Sequence, residues 1–140
     1  MSKKTRKEKN NMLIVSPVQT ENEKTELCKL CGVNKSDGAF MYVANVDEKP
    51  VGISQFEITG EGCLIHNLAN VLGKNDFEAM FIMGRQTLNF CDLCGSHDAY
   101  LDDDERADMR LRTAIGFKKL DDSRWYMDLR GFFEEHCKAE

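Results

Sequence analysis

The segment Cys63–Val71 constrains this chain most. It reads Cys-Leu-Ile-His-Asn-Leu-Ala-Asn-Val and is apolar on both faces apart from His66, Asn67 and Asn70. A strand with one wet face alternates polar and apolar residues. A strand that is apolar on both sides has to be covered on both, and so belongs in the centre of a sheet that lies between other layers. A helix signal follows at once. Asn75 is a good N-cap with Glu78 three residues on, which predicts a helix from near Asp76. Phe77, Met80, Phe81, Leu88, Cys91 and Leu93 make that helix largely buried, and Gly95 is its expected stop.

The remaining elements arrange themselves around this unit. Met12–Val15 is a short apolar run ended by Ser16-Pro17, a first strand. Thr20-Glu21-Asn22-Glu23 is a capping box for a helix to about Cys31, with Gly32 as its stop and Leu27, Cys28, Leu30 and Cys31 on its apolar face. Phe40–Val46 and Val51–Ile58 form a hairpin around Asp47–Pro50, with Val51, Ile53 and Gln55 on one face and Phe56 and Ile58 on the other. Gly60-Glu61-Gly62 turns into the central strand, where His66 shares a face with Leu64 and Leu68. Ala99–Leu101 is a short strand. Asp102-Asp103-Asp104 is expected to cap a helix that runs to Ile115 and stops at Gly116. Phe117–Leu120 and Arg124–Leu129 close the chain as a hairpin around Asp121–Ser123, and Gly131–Cys137 is a short terminal segment. The order is β-α-β-β-β-α-β-α-β-β, an α/β fold with a mixed sheet, antiparallel at first and with helical crossovers afterwards.

With 140 residues there is room for one domain. Residues 1–11 carry Lys3, Lys4, Arg6, Lys7 and Lys9 against Glu8, a net +4, and read as a disordered basic tail; residues 12–140 form the single domain. The 14 basic and 23 acidic side chains that remain leave the body at −9, which excludes a nucleic-acid groove built on clustered Lys and Arg. No apolar run is long enough to cross a bilayer and no apolar stretch follows the basic N-terminus, so a cytoplasmic protein is expected, with no membrane partner.

The order of elements resembles the GNAT superfamily of acyl-CoA-dependent N-acyltransferases. Three segments carry the likeness: the strand–glycine turn–helix unit Cys63–Phe77, the helix end Leu111-Arg-Thr-Ala-Ile-Gly-Phe117, and the closing strand Trp125-Tyr-Met-Asp-Leu129. Together they span roughly residues 12–130. The resemblance implies a transferase that takes an acetyl or other acyl group from acetyl-CoA to a primary amine, the acceptor being a small molecule or a peptide. The diphosphate of such a cosubstrate needs several backbone N–H donors at a helix N-terminus, with small residues that let the backbone come close. The cofactor-binding residues implied here are Leu68, Ala69, Asn70, Gly73, Lys74, Asn75, Asp76 and Phe77. Setting Gly73 as the family's central glycine puts Asn70 at its Gln/Arg position and Asn75 at its last small position.

The chemistry needs a base for the ammonium and an acid for the leaving thiolate. His66 and Glu61 are the base candidates: a histidine on the central strand titrates in the right range, and some family members place a glutamate where this strand begins. Two positions depart from the family. Counting back from Gly116-Phe117, Arg112 stands where many members have a proton-donating tyrosine, and Glu105 where they have an asparagine. Arginine stays protonated at neutral pH, so Tyr100 or water takes the acid role, or the fold serves as a non-catalytic acyl-CoA-binding or interaction module. The region from Thr20 to Asp37 has room for one helix where many members have two. That implies an open acceptor side, or one completed by a second copy of the chain in a homodimer.

Two further patterns stand outside the resemblance. Cys28-Lys-Leu-Cys31-Gly32 and Cys91-Asp-Leu-Cys94-Gly95 are the same pattern twice, and four thiolates can make a tetrahedral zinc site. The other reading is small hydrophobes packing two helix ends. Cys63 and Cys137 have no partner pattern. The run Asp102–Glu105 is a solvated helix cap, or a site for a divalent cation or a basic acceptor. His97 and Asp98, entering the next strand, read the same way as His66.

Overall fold

The computed structural model of the chain describes residues 12–103, 108–121 and 123–133. The basic tail, Asp104 and Glu105, Asp122 and Cys137 lie outside the described residues. The elements are β1 (Leu13–Pro17), α1 (Glu21–Cys31), β2 (Phe40–Val46), β3 (Lys49–Ile58), β4 (Cys63–Asn70), α2 (Phe77–Leu93), β5 (Asp98–Asp102), α3 (Met109–Ile115), β6 (Lys118–Lys119) and β7 (Arg124–Asp128). The strands form one seven-stranded sheet in the order β1-β2-β3-β4-β5-β7-β6. Only β4 and β5 run parallel; the other neighbours are antiparallel. This is the α/β mixed sheet expected from the order of elements, with β4 at its centre.

The two sheet faces are covered by different helices. On β3, Ile53 and Gln55 turn toward α1, where Ile53 packs with Cys28 and Cys31 and Gln55 lies 4.0 Å from the Cys28 thiol. Ser54 and Phe56 turn the other way: the Thr87 hydroxyl of α2 donates to the Ser54 hydroxyl at 2.9 Å, and Phe56 meets Phe90 edge-on. α1 begins and ends where expected, with the Thr20 hydroxyl accepting from the Glu23 amide and Gly32 closing the last turn.

Some expectations shift. Asp76, not Asn75, caps α2, because its carboxylate accepts from the Ala79 amide at 3.0 Å. Asp102 and Asp103, the described part of the acidic run, do not cap α3. Asp102 ends β5, and Asp103 takes the Trp125 indole N–H at 3.1 Å; α3 is capped by Asp108, which accepts from Arg110 and Leu111. Val51 does not share a face with Ile53, since a register shift between Ala44 and Asn45 puts Val51 in the α2-side core. Residues 32–39, between α1 and β2, hold no second helix. No described helix is long and apolar enough to cross a membrane.

Candidate active site

The pairing of β4 with β5 is short. Cys63, Leu64 and Ile65 pair with Ala99, Tyr100 and Leu101, and there the ladder stops, although β4 runs on to Asn70. β5 itself ends one residue further on, at Asp102, so β4 runs on past the end of its partner, and its other edge is irregular at the same level. Phe56 of β3 pairs with Ile65, and Gln55 pairs with Asn67, so His66 is an extra residue. Such a bulge kinks its strand and sharpens the twist. Past it, β4 stays paired with β3 as far as Asn70 and has no partner strand on its β5 edge among the described residues.

The bulge also resets the faces. His66 does not share a face with Leu68, as alternation predicts. Asn67 bonds to Gln55 on the α1 side, while Leu68 packs with the α2-side core near Gly84. His66 and Asn67 therefore stand side by side on one face. The Val71 amide donates to Val51 of β3, so by strand alternation Leu68 and Asn70 turn their main-chain groups toward the opening beside β5.

A cavity of about 460 Å³ follows this edge. It is lined by Leu68, Ala69, Asn70, Gly73, Lys74 and Asn75, together with Val71, Leu72, Asp108 and Leu111. Six of the eight residues expected to hold the cosubstrate thus line one cavity, and the other two, Asp76 and Phe77, open α2 beside it. The loop is built from its own polar groups. The Lys74 amide donates to the Val71 carbonyl at 2.8 Å, and the Asp76 amide donates to the Asn70 side-chain oxygen at 3.2 Å. Gly73 sits at φ +85°, a left-handed conformation that suits glycine. The amides of Gly73, Asn75, Phe77 and Glu78 have no acceptor among the described residues. Four N–H groups at a helix N-terminus, with the Lys74 ammonium beside them, make a place for a diphosphate.

A second cavity, of about 440 Å³, opens on the α1 side of the same split. Its walls are Gly32, Val33, Asn34 and Ser36 from the segment after α1, and His66, Asn67 and Asp102 from the sheet. Gln55 ties these walls together. Its Oε1 accepts from the Ser36 amide at 2.7 Å, and its Nε2 donates to the Asn34 carbonyl at 3.0 Å and to the Asn67 Oδ1 at 2.6 Å.

His66 stands where the strands part. Its Nε2 lies 2.7 Å from Glu57 and its Nδ1 3.3 Å from Asp102. Both neighbours are carboxylates, which only accept when ionised, so the arrangement favours the imidazolium, in which both ring nitrogens donate. Burial alone would lower its pKa, but hydrogen bonds to Glu57 and Asp102 outweigh that and hold it above the ordinary histidine value. Glu57 and Gln55 were not legible as site residues, and Asp102 only as part of an acidic run that could meet a cation or a basic acceptor. They come from two separate strands and meet His66 and Asn67 only through the pairing.

The other candidates lie elsewhere. Glu61 is in the turn before β4, at the end away from the split, where it pairs with Arg124 at 3.3 Å. Tyr100 is opposite Leu64 in register and on the same face as His66, with its ring against Tyr126 at 5.3 Å and under the Arg124 guanidinium at 4.5 Å. Arg112 is buried, and its Nη1 donates to the Asp102 carbonyl at 3.0 Å, fastening α3 to the end of β5. His97 and Asp98 are at the far end of the sheet: His97 meets Asp92 at 2.6 Å, and Asp98 takes the Tyr126 hydroxyl and Arg130.

The four-cysteine zinc alternative is corrected by the layering. Cys28 and Cys31 are buried between α1 and the sheet, Cys91 is buried beneath α2 on the opposite face, and Cys94 is exposed. The sheet separates the two pairs. Among the described residues no group of three or more His, Cys, Asp or Glu side chains can hold a metal ion. The thiols are also poor ligands: burial raises the pKa of Cys28, and hydrogen bonding with Cys63 together with burial raises that of Cys91 well above its usual value.

At the level of sequence no family model and no curated protein matches the chain. Solved structures do. A Desulfovibrio desulfuricans protein assigned to the GNAT acetyltransferase family superposes with a TM-score of 0.68 at 8% identity, covering 84% of this chain and 99% of that one. An N-acetyltransferase from Staphylococcus aureus Mu50 gives 0.68 at 13% identity, over 85% and 99%. A Bacillus subtilis acetyltransferase solved in complex with CoA gives 0.61 at 13%, again over 85% and 99%. The chain has the fold of the GNAT acetyltransferases.

Proposed function

We propose that the chain is an acyl-CoA-dependent N-acyltransferase that carries an acyl group, acetyl in the simplest case, from a CoA thioester to a primary amine. The observation that supports it best is the convergence of an open β4 edge and four uncommitted loop amides on one cavity. The main chain of Leu68, Ala69 and Asn70 would run beside the pantetheine arm, and the amides of Gly73, Asn75, Phe77 and Glu78 would grip the diphosphate. Lys74 adds a mobile cation. The acceptor amine enters from the α1 side, so that nitrogen and thioester carbonyl meet in the split between β4 and β5.

His66 is the base in this reading. Its two carboxylate neighbours favour the imidazolium, which sheds a proton to solvent before it can accept one from the ammonium. Tyr100, on the same face of the sheet, is the acid candidate on the chain; Arg112 is spent on the Asp102 carbonyl and supplies no proton. Glu61, far from the split, has no part in it. Arg112 in place of a proton donor is also what favours the second reading, an acyl-CoA-binding module without turnover.

Thermal unfolding with CoA tests both. A ligand that binds only the folded chain at a hundred times its Kd adds about 2.7 kcal/mol, so the melting temperature is expected to rise with CoA. Thiol release from acetyl-CoA with an amine panel then separates transferase from module. No rise at millimolar CoA would overturn both readings.

A further inference from the structure

We propose that the acceptor is an aliphatic diamine, or a longer amine with a second ammonium group, received in the α1-side cavity with Asp102 as its anchoring residue. This rests on the acyltransferase reading of the split and deepens it.

The cavity wall is polar. Val33 is the only apolar side chain on it, and no lysine or arginine side chain lines it. Lys35, between two lining residues, turns its ammonium to Glu21 at 2.6 Å and Asp37 at 3.5 Å. The charged groups at the cavity are Asp102 and His66, with Glu57 from β3 against the far side of the imidazole. Two carboxylates and one imidazolium sum to −1 at the mouth of the split; Arg112, buried behind Asp102 at its carbonyl, faces the Asp103 carboxylate at 3.7 Å. Asp102 is half-exposed, and only its Oδ2 has a partner among the described residues.

The reaction does not remove that charge. As the ammonium arrives, His66 gives up its proton to solvent, and one cation replaces another beside Asp102. The ammonium then passes a proton to His66, the neutral nitrogen attacks the thioester carbon, a C–N bond forms and the C–S bond breaks. Of the two protons leaving the nitrogen, one goes through His66 to solvent and the other to the departing sulfur, giving amide, CoA thiol and one released proton. Before the proton transfer the three side chains total −2 and the reacting ammonium brings the sum to −1; after it the imidazolium holds the same sum at −1 and the nitrogen is neutral. A second ammonium on the acceptor neutralises this remainder. A carboxylate on the acceptor doubles it, in a cavity lined by no lysine or arginine. The cavity volume of about 440 Å³ takes a short diamine with room to spare.

The test uses the full chain, saturated with CoA, and three probes of matched length: 1,4-diaminobutane, 1-aminobutane and 4-aminobutanoate. Calorimetric titration is expected to rank them in that order, with the diamine at least tenfold tighter than the monoamine. Asp102→Asn should bring the diamine down to the monoamine level and leave CoA affinity unchanged. NMR of the labelled imidazoles, with His66→Gln for assignment, should show His66 losing its second ring proton when the diamine binds near pH 7. Equal binding of the three probes, a preference for the carboxylate, or His66 signals that ignore the diamine would overturn the proposal. CoA titration alone reads the underlying transferase idea: if CoA fails to bind, that idea falls. If CoA binds and the probe ranking is flat, only the diamine assignment falls.

Discussion

Replacing Gln55 by leucine should damage the acceptor cavity and spare the CoA cavity. Gln55 is 1% exposed, and its amide joins three partners: the Ser36 N–H, the Asn34 carbonyl and the Asn67 side chain. Leucine fits the space but leaves all three without it. Each lost bond costs about 1 kcal/mol where the stranded partner can reach water, and about 1–3 where it cannot. Asn34 is exposed and Ser36 and Asn67 are half-buried, so the lower figure applies to each. The apolar side chain returns part of the sum, leaving a net loss of about 2–3 kcal/mol. For a domain of this size that is about 8–12 °C in Tm. The functional effect is selective, because Gln55 fixes residues 34–36 and Asn67 and touches no residue of the loop 72–76. KM for the amine should rise several-fold while the Kd for CoA holds. Differential scanning fluorimetry and a thiol-release assay measure the two. A drop below 2 °C, or a loss of CoA affinity equal to the loss for the amine, would refute the view of Gln55 as the brace of one wall only.

Other perturbations have signs fixed by the geometry. Asp76→Asn keeps a good N-cap for α2 and removes the negative charge beside the unclaimed amides, so CoA should bind a few-fold tighter with little change in Tm; weaker binding would put the diphosphate elsewhere. Gly62→Ala drives a methyl into the Asp98 carbonyl oxygen at a backbone φ of +148°, and should cost at least about 2 kcal/mol by urea titration, since the clash falls on the first residue of β5. The stabilising link from His66 to Glu57 and Asp102 is complete below the free-histidine pKa of about 6.5 and fades as pH rises through the higher folded value. His66→Gln should therefore flatten the fall of Tm between neutral and alkaline pH, and an unchanged profile would mean the ring is neutral at rest.

What the chain reveals of itself by sequence is what local rules govern. The Thr20 cap, the Gly32 stop, the hairpin and the central placement of β4 follow from periodicity and capping, and all are in the fold. The eight residues expected to hold a cosubstrate could be grouped because strand, turn and helix start are contiguous, and six of them line one cavity. The errors share a different origin. The side chain of Val51 and the mismatch of His66 with Leu68 both stem from register shifts, and a shift is set by the partner strand, not by the strand that carries it. Asp102 looked like a cap because it begins an acidic run; it is a strand end because it falls opposite Arg124 of β7. The Glu57–His66–Asp102 cluster joins residues whose proximity exists only once three strands are in register. The two cysteine pairs mislead for the same reason in reverse, since a repeated spacing says nothing about which side of a sheet each helix covers.

The extra residue in β4 carries the argument that the split is built and not incidental. Deleting His66 should leave the β3–β4 ladder continuous, because Gln55–Asn67 and Phe56–Ile65 are already the pairs on either side of it. It should also leave the faces unchanged: Asn67 stays toward α1 and Leu68 toward α2, as regular alternation from Ile65 requires. The deletion thus removes the kink without moving the core. With the kink gone, Asn67 falls opposite Asp102 and the parallel pairing of β4 with β5 can extend past Ile65 toward the α2 loop. The expected product is a folded protein with the same far-ultraviolet circular dichroism, in which CoA no longer raises Tm. The substitution His66→Ala, which keeps the bulge, should retain the CoA response and lose only turnover. If the deletion binds CoA as well as the parent does, the opening beside β4 does not depend on the bulge, and the account of how this sheet comes apart at its centre is wrong.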